Sequence, residues 1–431
     1  MKNYFLFIVF SFMTLSSPCS EKKERSELDK KILENQSIAY TKSKALEIMK
    51  AGFNAGSGYH QVWIRDYNTF IELAAKVYPP EELKENLLVF FRMQGDDGNI
   101  VDGFSPREGK TVGPDFTTSD LAPQYKAHKN TVETDQESSL IQAVYKYVNV
   151  TGDNSILREK IGNKTVAERM DWAMDFLMKH RFSEKYGLIC GATTVDWGDV
   201  QPEHELGVDL DKDTHPAIDI YDNAMFIVAL NDLIKILPET SGKWRPVCDN
   251  IAKNCRRELW NKDKQKFIPH IYLEKGSPFP ADFDENQIYY FGGTAIAIEA
   301  GLLNKKEIKV SLNEMIKRVK QAGAASIGLT IYPPYPKGYF KNRIMNPEYS
   351  YQNGGDWTWF GGRMIQQLVK YGFVKEAYEQ LLPMTERVMK YKGFHEWYSR
   401  NNEPRGSGAF KGSAGVLYDA IDMLEKKIKQ E

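Results

Sequence analysis

The chain is 431 residues long, 42% hydrophobic and 27% charged, with a formal net charge of −1. That balance describes an ordinary soluble globule and supplies no basic surplus to neutralise a phosphate backbone, which excludes nucleic acid as an expected partner. The aromatic share of 12%, with 23 Tyr, 22 Phe and 8 Trp, exceeds what a helical core needs, and many of these rings fall in loops, where sugars stack on such faces.

The N-terminus begins with Lys2, continues apolar from Tyr4 to Leu15 and reaches small residues before Cys19, the layout of a secretory signal whose apolar stretch is too short to span a bilayer. Leu15-Ser16-Ser17-Pro18-Cys19 resembles a loose bacterial lipobox, although Pro18 departs from the usual small residue. Residues 1–19 are therefore expected to be a lipoprotein-type signal, Cys19 a lipid-anchored residue of the cell envelope, and 20–26 a polar tether. Cys190, Cys248 and Cys255 remain, with no CxxC or zinc spacing, and are expected to be buried free thiols.

Apolar periodicity near 3.6 residues then places about twelve helices, at 27–51, 66–78, 81–94, 135–150, 165–181, 220–237, 243–260, 289–302, 305–321, 356–371, 373–391 and 412–429. Links within successive pairs are short, as at Pro79-Pro80, Pro238 to Gly242 and Gly372, and short links force antiparallel neighbours. The stretches before the even-numbered helices are long, so all long loops gather on one rim. Even-numbered segments such as Asn223 to Leu230 are apolar and rich in small residues, suiting an inner ring, whereas Lys305 to Lys320 and Lys375 to Lys390 carry charge along one side, suiting an outer one. The expected fold is all-α: one (α/α)6 toroid over 27–431, a monomer, with local β-hairpins around 182–195 and 262–275. An open helical solenoid is the alternative, disfavoured because its repeats would be more uniform.

Five constellations on the long loops carry candidate chemistry. Trp63-Ile64-Arg65-Asp66 sets a guanidinium beside a carboxylate just where a helix begins, a pair able to grip vicinal hydroxyls or simply to cap the helix. Glu133-Thr134-Asp135-Gln136-Glu137 opens the next inner helix, where acidic residues are commonly caps. Thr193-Thr194-Val195-Asp196-Trp197-Gly198-Asp199 flanks a Trp with two carboxylates, and burial beside an indole raises a carboxyl toward the range of a proton donor. Tyr221-Asp222-Asn223 follows at the start of another inner helix, and Tyr351-Gln352-Asn353-Gly354-Gly355-Asp356-Trp357 offers glycines for close backbone approach, with Trp357 and Trp359 as stacking candidates. Gly393-Phe394-His395-Glu396-Trp397-Tyr398 surrounds one carboxylate with aromatic rings, as activation of water beside a sugar requires.

These segments resemble the six-hairpin glycosidases: glucoamylase, glycogen-debranching amyloglucosidase, the processing α-glucosidases and neutral invertase. The W-x-R-D at 63–66, the Y-x-N-G-G-x-W at 351–357 and the loop around Glu396, which looks like the W-P-E-Y-Y of the invertases, carry the likeness. The resemblance implies that Arg65 and Asp66 bind the terminal sugar, that Asp135 lines the pocket with a runner-up role as acid, and that Asp222 completes its wall. It further implies that the general acid lies at Asp196 or Asp199 and the general base at Glu396, with Trp63, Trp197, Tyr351, Asn353, Trp357, His395 and Trp397 contacting substrate. The activity implied is inverting, exo-acting hydrolysis of an oligosaccharide, α-glucosidase-like and cofactor-free, with the two carboxyl groups roughly 6.5–9.5 Å apart. A glycan-binding lipoprotein without catalysis, a polysaccharide lyase or a sugar epimerase are the other occupants of such a barrel; scarce histidine argues against the last two. The string Asp209-Leu210-Asp211-Lys212-Asp213 lacks the Gly and terminal Glu of a calcium loop, and no metal is expected.

Overall fold

The computed structural model describes residues 18–108, 117–129, 132, 134–206 and 208–430, with side chains from residue 25 onward. The apolar run of the expected signal, the Cys19 side chain and Glu133 lie outside what is described. Thirteen α-helices run through these residues: α1 Pro18–Leu33, α2 Gln36–Met49, α3 Ile64–Ala74, α4 Pro80–Arg92, α5 Asp135–Thr151, α6 Val166–His180, α7 Ile220–Ile236, α8 Ser241–Asn254, α9 Phe291–Glu299, α10 Lys305–Ala322, α11 Thr358–Lys370, α12 Val374–Lys390 and α13 Lys411–Gln430. No helix among the described residues is long and apolar enough to cross a membrane.

The helix expected over 27–51 is two helices. Asn35 takes an extended backbone and its side chain accepts hydrogen bonds from the Ser37 and Ile38 amides, capping α2 and ending the run from α1. The stretch 20–26 lies inside α1. The other helices begin and end near the expected places, and at α5, α6 and α10 the punctuation is strong: reciprocal capping boxes at Thr165/Glu168 and Asn304/Glu307, and left-handed glycines at Gly152 and Gly323.

Helices α3, α5, α7, α9, α11 and α13 each pack on the next, and α13 returns to α3, closing an inner ring. Contact is tight where the ring closes: a Cβ on Gly415 of α13 would stand 2.6 Å from the Phe70 Cα of α3. The inner helices are buried nearly all round, as α7 shows from Ile220 to Leu230. Outside them α4, α6, α8, α10 and α12 pack on inner partners, while α2 bridges α12 and α13. The molecule is thus an (α/α)6 toroid, and all six inner helices begin at the same rim.

Below that rim the axis is filled by side chains. Asn68 donates to Gln142 at 3.1 Å, Gln142 to the Met225 carbonyl at 3.1 Å, and Arg363 pairs with Glu299 at 2.9 Å. Above it the long loops fold into short strands. Val62–Trp63 (β1), Gly103–Pro106 (β2) and Tyr125–His128 (β3) form one antiparallel sheet in the order β1-β2-β3. His395–Tyr398 pairs with Pro404–Gly408 through an irregular register between His395 and Trp397. Hairpins occur where expected, Phe182–Ser183 with Leu188–Ile189 and Trp260–Asn261 with Lys266–Phe267. Cys248 and Cys255 are buried and Cys190 half-buried, all as free thiols.

Candidate active site

The inner-helix N-termini and the loops above them enclose a cavity of about 470 Å³. Its wall includes Trp63, Arg65, Asp66, Trp197, Asp199, Tyr351, Trp357, Trp359, Phe410 and Glu396. Several different long loops supply them, so residues spread over more than three hundred positions meet in one pocket.

Glu396 stands on the strand His395–Tyr398 and is 4% exposed. The Tyr59 hydroxyl donates to its Oε1 at 2.7 Å, the Tyr351 hydroxyl to the same oxygen at 3.4 Å, and the Ser407 amide to Oε2 at 2.8 Å. Burial pushes this carboxyl above its ordinary range; the Ser407 amide and Tyr59 pull it back, and the charge of Asp199 adds to the rise. Gly406 makes the arrangement possible, because its φ is +68° and any Cβ there would run into Glu396 Oε2.

Arg65 and Asp66 open α3. Arg65 Nε donates to Asp135 Oδ2 at 2.6 Å and Nη2 to Oδ1 at 3.2 Å, a two-pronged pair that the Tyr221 hydroxyl completes at 2.6 Å. Asp135, 1% exposed and absent from the cavity wall, therefore orients Arg65 instead of facing the cavity. Asp66 does face it: its Oδ1 is buried with no hydrogen-bond partner among the described residues, and burial pushes the carboxyl up to about 8, with Arg65 pulling the other way. Lys411, at the start of α13, donates to the Asn54 carbonyl at 2.6 Å; burial lowers its ammonium to about 8 and nearby Asp66 pulls it back.

The two carboxylates around Trp197 part company. Asp199 lines the cavity, whereas Asp196 takes a left-handed backbone, φ +54°, and turns away. Its Oδ2 and Oδ1 accept the Gly292 and Gly293 amides at 2.7 and 2.8 Å, so it caps the open end of α9, fully buried, with desolvation pushing it up to about 8. Between them Trp197 lies at 4.8 Å from Trp357 and 4.6 Å from Phe360, ring centre to ring centre, and its Nε1 has no partner among the described residues.

Several expected contacts lie outside the cavity wall. Asp222 accepts the Thr134 amide at 3.2 Å behind the pocket. Asn353 donates to the Tyr335 and Met345 carbonyls, each at 3.0 Å, stapling its own loop. Trp397 meets Tyr351 edge-on at 6.2 Å, and His395 is half-buried beside Tyr398 at 6.0 Å; neither belongs to the wall. The sequence reading missed Tyr59, Asp102 and His128, which do line it. Asp102 sits one residue before β2, and burial pushes its carboxyl up to about 7. The aromatic four positions ahead of Trp63 was the available signal for Tyr59; nothing local marks Asp102.

Residues 33–385 match the glycosyl hydrolase 94 superfamily, catalytic domain. Among solved structures, the chain is similar to the GH63 mannosylglycerate hydrolase from Thermus thermophilus in complex with glucose, at 14% identity and a TM-score of 0.62, covering 88% of this chain and 99% of that one. It is also similar to a rhamnosidase from Klebsiella oxytoca with rhamnose bound, at 12% identity and a TM-score of 0.59, covering 89% of this chain and 63% of that one. The GH78 family rhamnosidase of Bacillus sp. GL1 shares 14% identity and a TM-score of 0.60, over 89% of this chain and 34% of that one. At such identities the likeness shows the toroid itself. Comparison with curated proteins gave no match.

Proposed function

This chain belongs to the glycosyl hydrolase 94 superfamily and is a glycosidase of the six-hairpin type, and on that premise we propose an inverting, exo-acting, α-glucosidase-like hydrolase of oligosaccharides. Asp199 is the general acid in this reading and Glu396 the general base. The observation that carries it is the presence of both carboxylates on the wall of one aromatic cavity, Glu396 feeling the charge of Asp199.

Asp199 would protonate the glycosidic oxygen while Glu396, ionised, takes a proton from water attacking the opposite face of the sugar. Tyr59, Tyr351 and the Ser407 amide fix the lone pair of Glu396 that remains for water. Asp66 Oδ1, buried and without a protein partner among the described residues, would meet a hydroxyl of the terminal sugar. Trp63, Trp357, Trp359 and Phe410 supply ring faces. Filled side chains beneath the pocket favour cleavage from a chain end.

The neighbours by name act on mannosylglycerate or rhamnosides, so the fold leaves the glycone open. A panel of synthetic α- and β-glycosides, assayed in phosphate-free buffer with anomer-resolved NMR of the product, tests the reading. Release of a free reducing sugar with inverted configuration is the expected result, and Glu396→Gln should lower turnover by about 10²–10⁴-fold while sparing ligand affinity. Retention of configuration, or unchanged turnover in the variant, overturns it. The reading also keeps Cys19 as a lipid anchor in the cell envelope, tested by fatty-acid labelling of the chain against Cys19→Ser.

A further inference from the structure

We infer that the outer, leaving-group half of the cavity takes an uncharged aglycone presenting an apolar face and discriminates against an anionic one. This deepens the hydrolytic reading and rests on it for the position of the leaving group beside Asp199.

Beyond Asp199 the chain lines the cavity again through His204, Leu206, Val208, Asp209 and Asp211, and a second loop does so through Asn342 and Ile344. The two are tied together: the Lys341 amide donates to the Pro202 carbonyl at 3.1 Å and Asn342 Nδ2 to the Glu205 carbonyl at 2.6 Å. On this fixed lip stand Leu206, 65% exposed, and Ile344, 47% exposed, both on the cavity wall together with Val208. Large aliphatic side chains held out in water beside a catalytic cavity are unsatisfied until something apolar covers them. The face of a second pyranose ring or an aryl group has that character.

Charge on the same lip selects further. Asp209 and Asp211 line the same cavity as Asp199. Asp211 accepts the Asp213 amide at 2.8 Å and faces His204 Nε2 at 3.1 Å, contacts that hold its carboxyl below the usual range and keep it ionised. Among the described residues of the wall the permanent cation is Arg65, and Asp135 already occupies it in two-pronged fashion. On the described wall an anionic leaving group would therefore meet Asp199, Asp209 and the His204-paired Asp211, while the exposed Lys341 and Arg343 of the lip loop are not among the residues that line the cavity.

The test compares 4-carbamoylphenyl and 4-carboxyphenyl glycosides of one sugar, α-D-glucose first and then the best glycone of the panel. Their sizes match and their charges differ. The carboxylate substrate should show kcat/KM at least about tenfold lower, and the Asp209→Asn/Asp211→Asn double variant should shrink that ratio toward unity, a thermal melt of the variant reporting that it is folded. Leu206→Ser with Ile344→Ser should raise KM for the carbamoyl substrate several-fold and leave kcat near normal. Titration calorimetry of both compounds on Glu396→Gln reads the same preference without turnover. Lack of cleavage with the preference intact in binding counts against hydrolysis alone. Equal kcat/KM and equal binding, a ratio unmoved in the double variant, or no binding of either compound overturns the inference.

Discussion

Tyr59 and Glu396 come from opposite ends of the chain and meet at 2.7 Å, phenol donating to carboxylate. That bond favours the ionised form of Glu396, the form a general base must have. Tyr59→Phe removes it, so Glu396 rises further and the acidic limb of the kcat/KM profile moves to higher pH, by about one unit for a charge-assisted bond. A pH–rate profile of the two proteins checks this. Coincident acidic limbs would uncouple Tyr59 from the base.

Asp199 and Asp196 should separate cleanly by substitution. Asp199→Asn is expected to abolish cleavage of glycosides with poor leaving groups and to spare 2,4-dinitrophenyl glycosides, whose departing phenolate needs no proton. Asp196→Ala leaves two α9 amides without their acceptor and should lower stability by about 1–3 kcal/mol, with no leaving-group dependence. Thermal melts and a leaving-group series distinguish the pair; the opposite pattern would hand the acid role to Asp196.

Asp135 acts through Arg65. Asp135→Asn removes one partner of a buried ion pair, for which a loss of about 3–5 kcal/mol is the guide, and frees the guanidinium to swing. Stability should fall and KM rise about tenfold, while the leaving-group dependence stays that of the parent. An acid's signature in that series would make Asp135 the proton donor.

Stability should decline as pH rises. Asp66 and Asp196 are held up at about 8, Asp102 and Glu137 at about 7, all by burial. A carboxyl raised in the folded state binds its proton more tightly there than in the unfolded chain, so its contribution is complete below the unfolded value and is lost through the folded one. Melting temperatures are expected to fall from about pH 4, the unfolded carboxyl range, through pH 8, with a shallower fall in Asp66→Asn. A flat profile over that window would show these groups to be better solvated than their burial implies.

The toroid was legible because its outer helices carry an apolar stripe, inner ones such as α7 and α9 are apolar nearly throughout, and short links join them in pairs; the helix misread over 27–51 was divided by the local Asn35 cap. Glu396 and the Arg65-Asp66 pair were legible because a carboxylate amid aromatic residues on a long loop has few structural uses. What stayed hidden was direction. Asp196 and Asp199 sit three residues apart with the same chemistry, and only the positive φ at Asp196 turns one to a helix end and leaves the other in the cavity. Asp135 reads as a wall residue until Arg65 is seen in its grip, and Asp102 becomes part of the site only through the pairing of β2 with β1 and β3.

Closure of the ring by the last helix has a bearing on synthesis. The Lys411 amide bonds the Ala55 carbonyl at 2.7 Å and its ammonium the Asn54 carbonyl at 2.6 Å, stitching the first long loop to the start of α13. During translation Asp199 leaves the ribosome nearly two hundred residues before Glu396, and the first inner helix waits for its closing neighbour until the segment from Lys411 has been made. A nascent or C-terminally truncated polypeptide thus lacks the part of the cavity wall that Glu396 and Phe410 supply until the segment carrying them docks.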